Sequence, residues 1–286
     1  MKAFAMNYTL GISTCPNDTF IFGALANGLI DTQGIDFEIV MDDVEALNKM
    51  AFAGVLDVTK LSYHAFAHLT TTYRLLQAGS ALGNNCGPLL VAKTPLDTAQ
   101  IEHARIAIPG KMTTANFLLS LAYPNAIHKV ETLFSDIENA VCDGHCDAGL
   151  IIHENRFTYQ QKGLVKLIDL GEYWESTTGL PIPLGGIVIK KEYPEEVQQL
   201  VNQLIKESVT FAYAHTDQVM PYIRTHAQAM EDHVMQSHID LYVNEYSIDL
   251  GGKGRHAVQT MFNMAHAKGL IGDYDRDFMI QPLSSL

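Results

Sequence analysis

His153 closes a short apolar run, Ala148-Gly149-Leu150-Ile151-Ile152, and is followed by Glu154, Asn155 and Arg156. An imidazole at the edge of a buried strand is partly desolvated and titrates near neutral pH, which suits a general base; bonded to backbone, the same residue is structural. Three other apolar runs end in residues that bind rather than pack. The run 8–13 leads into Thr14-Cys15-Pro16-Asn17-Asp18-Thr19, the run 57–60 into Leu61-Ser62-Tyr63-His64, and the run 105–108 into Pro109-Gly110-Lys111-Met112-Thr113-Thr114. Ser62 and the Thr113-Thr114 pair fall where helices should begin. There a hydroxyl either caps the helix or joins its free N–H groups in holding an anion. The pair suits the second role better, because one hydroxyl can cap while the other points outward.

Other chemistries fit less well. Gly110-Lys111 is no phosphate-binding loop, since Arg105 stands where its first glycine belongs and Met112 where Ser or Thr would meet magnesium. His64 and His68 are spaced for a metal on a helix but lack a third ligand of suitable spacing, and Cys142-Asp143-Gly144-His145-Cys146 lacks a fourth donor and reads as a turn. No metal site is expected. Cys15 precedes Pro16 at a helix start, where a thiol can be activated, yet no base lies beside it in sequence.

These residues need a scaffold of strands. Runs at 8–13, 37–41, 57–61 and 73–78, then 105–108, 129–134, 148–152 and 165–170, read as strands. Between them lie helical patterns such as 42–52, with Val44, Leu47, Met50 and Ala51 on one face. Alternating strand and helix implies βαβ units and mostly parallel sheets. Ligands of such sheets bind beyond the strands' carboxyl ends, so the four junctions should face one cleft. The last third is helical, with amphipathic stretches at 195–215, 231–245 and 254–268 that must cover the first sheet. Extended segments at 87–92 and 184–190 could carry the chain between two lobes. The expected division is a larger lobe of 1–90 plus 191–286 and a smaller one of 91–190, hinged over the cleft.

The bulk numbers agree. The 286 residues are 47% apolar and 18% charged, a globular composition. The 32 acidic residues against 19 Lys plus Arg leave a net charge of −13, which argues against nucleic acid and anionic membrane as partners. The N-terminal apolar run breaks at Asn7, too early for a signal peptide, so a cytoplasmic protein with thiols at Cys15, Cys86, Cys142 and Cys146 is expected. The composition fixes no oligomeric state.

In order, the segments Ser13-Thr14-Cys15-Pro16-Asn17-Asp18-Thr19-Phe20, Lys60-Leu61-Ser62-Tyr63-His64-Ala65, Gly87-Pro88-Leu89-Leu90-Val91, Pro109 to Ala115, Asp147 to Glu154 and Gly179 to Gly186 form a recognisable set. The chain resembles the 1,4-dihydroxy-6-naphthoate synthases of the futalosine route to menaquinone, from about Leu10 to Gly269. The resemblance implies a periplasmic-binding-protein-like fold of type II used as an enzyme. It implies a carbon–carbon lyase that converts cyclic dehypoxanthinyl futalosine to 1,4-dihydroxy-6-naphthoate and dihydroxyacetone, without metal or organic cofactor. His153 would then be the catalytic base. Lys60, Leu61, Ser62, Thr113 and Thr114, together with Asn17 and Asp18, would bind the small anionic substrate. A solute-binding protein, a ligand-sensing domain or the related chorismate dehydratase would share the fold. The first should carry a signal peptide or lipid anchor, the second a basic DNA-binding helix pair. The dehydratases lack the Cys-Pro-Asn-Asp-Thr-Phe and Ile-Ile-His-Glu segments.

Overall fold

The computed structural model describes residues 6–153, 155–227 and 231–281. The chain opens with β1 (Met6–Ile12), α1 (Pro16–Ala26), β2 (Ile35–Met41), α2 (Val44–Phe52), β3 (Val58–Ser62), α3 (Tyr63–Ala67), and the short strands β4 (Tyr73–Leu75) and β5 (Ala81–Gly83). It continues through β6 (Leu89–Ala92), α4 (Thr98–His103), β7 (Ile106–Ile108), α5 (Thr114–Ala122), β8 (Lys129–Glu131), α6 (Ile137–Cys142), β9 (Ala148–Ile151), α7 (Asn155–Thr158), β10 (Val165–Asp169) and α8 (Leu170–Thr178). The long strand β11 (Ile182–Lys190) then leads into α9 (Glu195–Ala214), α10 (Thr216–His226), α11 (Asp232–Tyr242), α12 (Glu245–Ile248) and α13 (Gly251–Ala267).

The strands form two sheets, one ordered β2-β1-β3-β11-β4 with β5 also on β11, the other β10-β6-β9-β7-β8. The α/β class expected from the alternation is what the chain adopts. The expectation of mostly parallel sheets needs correction. β1 runs parallel to β2 and β3, and β7 to β8 and β9, but β11 is antiparallel to β3, β4 and β5, and β6 is antiparallel to β9 and β10. The reversed strands are those next to the points where the chain changes sheet. Such a strand enters from the neighbouring sheet rather than through a βαβ return, so nothing enforces parallel pairing. The return crossing precedes β11, ahead of the 190/191 boundary expected from sequence.

α1 explains why so much helix follows β11. Residues Pro16 to Leu25 are all buried, so it is enclosed on every side rather than lying half-exposed on a sheet. α9, α10 and α11 all pack against it. Val201, Leu204, Ile205 and Val209 of α9 share a core with Phe20, Ile21 and Phe22. Ser208 Oγ donates to the Ile21 carbonyl at 2.7 Å. α10 was missed in the sequence because Pro221 interrupts its pattern, yet Val219 and Ile223 still bury one face. The stretch 231–245 is two helices, α11 and α12, because Asn244 caps the second.

Where the chain crosses, the backbones touch. Arg156 donates to the Gly87 carbonyl at 2.5 Å and to Asp169 Oδ2 at 2.7 Å, while Asp169 Oδ1 accepts the Gly171 N–H at 2.8 Å and so caps α8. A side chain on Gly87 would overlap the backbone of Gly171, which no rotamer change can relieve. Gly87→Ala should therefore destabilise at the upper end of the roughly 1–3 kcal/mol typical of overpacking. Gly144→Ala, with φ 76° but open space around it, should cost only about 1 kcal/mol. Urea unfolding of both variants reads the difference, and equal midpoints would contradict it.

Candidate functional site

The four strand ends converge. Ser13, Asn17 and Asp18 after β1, Ser62 at the end of β3, Thr113 and Thr114 after β7, and Ile152 and His153 after β9 line a single cavity of about 90 Å³. Lys60 reaches the same space from β3. Leu61 does not. Its side chain is fully buried among Tyr63, Phe66 and Leu75, because successive strand residues point to opposite faces and Lys60 and Ser62 occupy the cavity face.

Asp18 is completely buried and fully engaged. Ser13 donates its N–H and its hydroxyl to Oδ2 at 3.1 and 2.8 Å. Asn17 Nδ2 and Lys60 Nζ each donate to Oδ1 at 2.8 Å. A carboxylate has about four acceptor positions, so none remains for a ligand. Asp18 and Asn17 thus hold Lys60 in place, and the ammonium, with three hydrogens, is the charge offered to the cavity.

Ser62 begins α3 but does not cap it. Asn48 of α2 instead grips it from both sides, accepting the Ser62 N–H at 3.1 Å and donating to Oγ at 3.2 Å. The Ser62 hydroxyl hydrogen is left for another acceptor. Asn48 gave no signal in the sequence beyond a polar place on an amphipathic helix. The threonine pair divides its work. Thr113 caps α5, accepting the Asn116 N–H at 3.2 Å and donating to the Gly110 carbonyl at 2.8 Å. Thr114 lines the cavity, but its hydroxyl donates to the Leu184 carbonyl on β11 at 2.6 Å. That bond joins the second sheet's α5 to a strand of the first. What α5 presents to an anion is the N–H groups of Thr114 and Ala115, the first-turn donors that the Thr113 cap does not use.

His153 adopts a left-handed backbone, φ 57°, unusual for a residue with a side chain. Its Nδ1 lies 3.5 Å from Cys15 Sγ. Phe134 meets the ring edge-on at 5.1 Å, and His238 of α11 stacks on it at 6.0 Å with 21° between planes. Burial pulls the imidazole down to about 4, with Asp18 opposing that fall and Lys60 adding to it. The residue is therefore neutral at pH 7, and the expected titration near neutrality is displaced to the acid side. His64 and His68 have rings 5.4 Å apart; among the described residues no group of three metal-binding side chains includes them. Glu154 lies outside the described residues.

The fold is that of the periplasmic binding proteins. The alkanesulfonate-binding protein SsuA of Xanthomonas axonopodis pv. citri, solved with MOPS, superposes with a TM-score of 0.72 at 14% identity, covering 96% of both chains. A solved Archaeoglobus fulgidus protein superposes with a TM-score of 0.88 at 35% identity, covering 93% of this chain and 98% of its own. The 1,4-dihydroxy-6-naphtoate synthase of Thermus thermophilus is 44% identical over 271 residues, 95% of this chain and 98% of that enzyme. The family described as menaquinone biosynthesis matches residues 8–267, a span that takes in both sheets and every wall of the cavity. On that match and that relative, this chain belongs to the menaquinone-biosynthesis family.

Proposed function

We propose that the protein is a carbon–carbon lyase that converts cyclic dehypoxanthinyl futalosine to 1,4-dihydroxy-6-naphthoate and dihydroxyacetone, with His153 as general base. The observation that carries this reading is a neutral imidazole and a buried ammonium on one small cavity. A neutral ring can take a proton from carbon, and Lys60 can hold the substrate carboxylate or the negative charge that proton loss leaves behind. The Ser62 hydroxyl and the first turn of α5 supply further donors to the carboxylate. Purified protein incubated with the cyclic substrate should release the naphthoate chromophore. Binding without release would favour a solute-binding role instead.

His153→Gln keeps size and some hydrogen bonding but cannot act as a base. Its kcat should fall by roughly 10²–10⁴ with little change in KM. The sign of the pH effect follows from the depressed imidazole. Protonation below about 4 removes the base, so kcat/KM should rise with pH through that value and stay level across neutrality. Rates of both proteins from pH 3.5 to 8 check this, and a limb centred near 6.5 would contradict it.

The Thr114 bond to Leu184 predicts a stability effect rather than a binding one. Thr114→Val leaves the carbonyl of the half-buried Leu184 without this donor and should lower unfolding stability by about 1 kcal/mol. Substrate affinity should change less than tenfold, as titration calorimetry would show.

The cavity of about 90 Å³ is well below the roughly 300–1,000 Å³ of ordinary ligand sites, so a multi-ring substrate enters only if the walls part. We assign that motion to two lobes, one built on each sheet, which open to admit substrate and close over it. Solution scattering should give a larger radius of gyration without ligand than with product. An unchanged radius would remove the hinge.

A further inference from the structure

His153 can act as a base only at a ring nitrogen that carries no hydrogen. In a neutral imidazole one nitrogen bears the proton and the other the lone pair, and the partner of one decides the state of its opposite. The surroundings of this ring are unequal. Nδ1 faces the Cys15 sulfur at 3.5 Å. Phe134 stands at the edge of the ring and His238 is stacked on it at 6.0 Å, so both flank the imidazole that makes this contact.

Cys15 is itself fixed. It is 5% exposed and sits immediately before α1, with its N–H 3.4 Å from the Ser13 hydroxyl and its carbonyl accepting the Thr19 N–H at 3.1 Å. Ser13 in turn donates to Asp18, the partner of Lys60. The turn that organises the buried ion pair therefore also delivers the sulfur to the imidazole. Cys142 and Cys146 are remote from this turn in sequence, and Cys86 lines the cavity at another wall.

We infer that Cys15 is a positioning residue for His153: its sulfur accepts the Nδ1 hydrogen and so leaves the Nε2 lone pair to meet the substrate. The inference rests on the assignment of His153 as base, but its direct readout does not. Nitrogen-15 NMR of histidine-labelled protein at pH 7 separates the two neutral tautomers, and His153→Gln identifies the resonance. Wild-type His153 should be in the Nδ1–H form. Cys15→Ala should shift it toward the Nε2–H form that free imidazole prefers, and kcat should fall on the order of 10–100-fold at unchanged KM, as when an orienting partner is taken from a working histidine. Cys15→Ser keeps an acceptor and should restore the Nδ1–H form and most of the rate. It also keeps the test open should the alanine variant fold poorly. An Nε2–H ring in the wild type, or a tautomer unaltered by Cys15→Ala, would overturn the assignment. Full turnover by His153→Gln would instead remove the base while leaving the tautomer result standing.

Discussion

The site is organised around one buried ion pair. Lys60 and Asp18 meet at 2.8 Å with side chains 7% and 0% exposed. Neither charge could be left there alone, since removing one partner of a buried pair costs about 3–5 kcal/mol. Asp18 is acceptable in the interior only because Ser13 and Asn17 fill its remaining acceptor positions, which dictates the conformation of the whole turn after β1. That turn starts α1, and α1 is the helix that α9, α10 and α11 enclose. The electrostatic demand of a single carboxylate thus reaches from the cavity to the helical C-terminal third.

A second set of contacts lies where the chain passes between the two sheets. Thr114 bonds to the Leu184 carbonyl, and Arg156 spans Gly87 and Asp169. The Leu184 and Gly87 carbonyls both lie near the places where the chain changes sheet. Contacts at a crossing can persist while the walls of a cleft separate, since a hinge absorbs its motion in a few residues.

Burial sets the acid–base character of the interior. His153 and His64 are both pulled down to about 4 by desolvation, and His238 is held well below its ordinary 6.5. The unfolded chain binds protons at these residues between about pH 6.5 and 4, whereas the folded protein does not. Their contribution to stability is therefore complete above 6.5 and declines as pH falls toward 4. A ring that stays neutral throughout that window is suited to accepting a proton at neutral pH.

The residues of the site could be read from local pattern because parallel strands all aim their carboxyl ends the same way. Ser62, Thr113, Thr114 and His153 stood out as polar residues ending apolar runs, and the Cys15-Pro16-Asn17-Asp18 turn as a helix start. Their exact duties could not be read. Leu61 was grouped with Lys60 and Ser62, but alternation along β3 sends it to the core. Thr114 is tied to β11, Ser62 is held by Asn48, and His153 is shifted by burial among Cys15, Phe134 and His238. Each of these joins residues far apart in the chain. Periodicity records which side of its own element a residue occupies, so the sequence by itself determined the fold class and most of the polar residues that line the cavity. Which groups meet across the cavity depends on how separate elements pack, and only the tertiary structure decided the direction of the crossing strands, the partners of each hydroxyl and the surroundings that keep the His153 ring neutral.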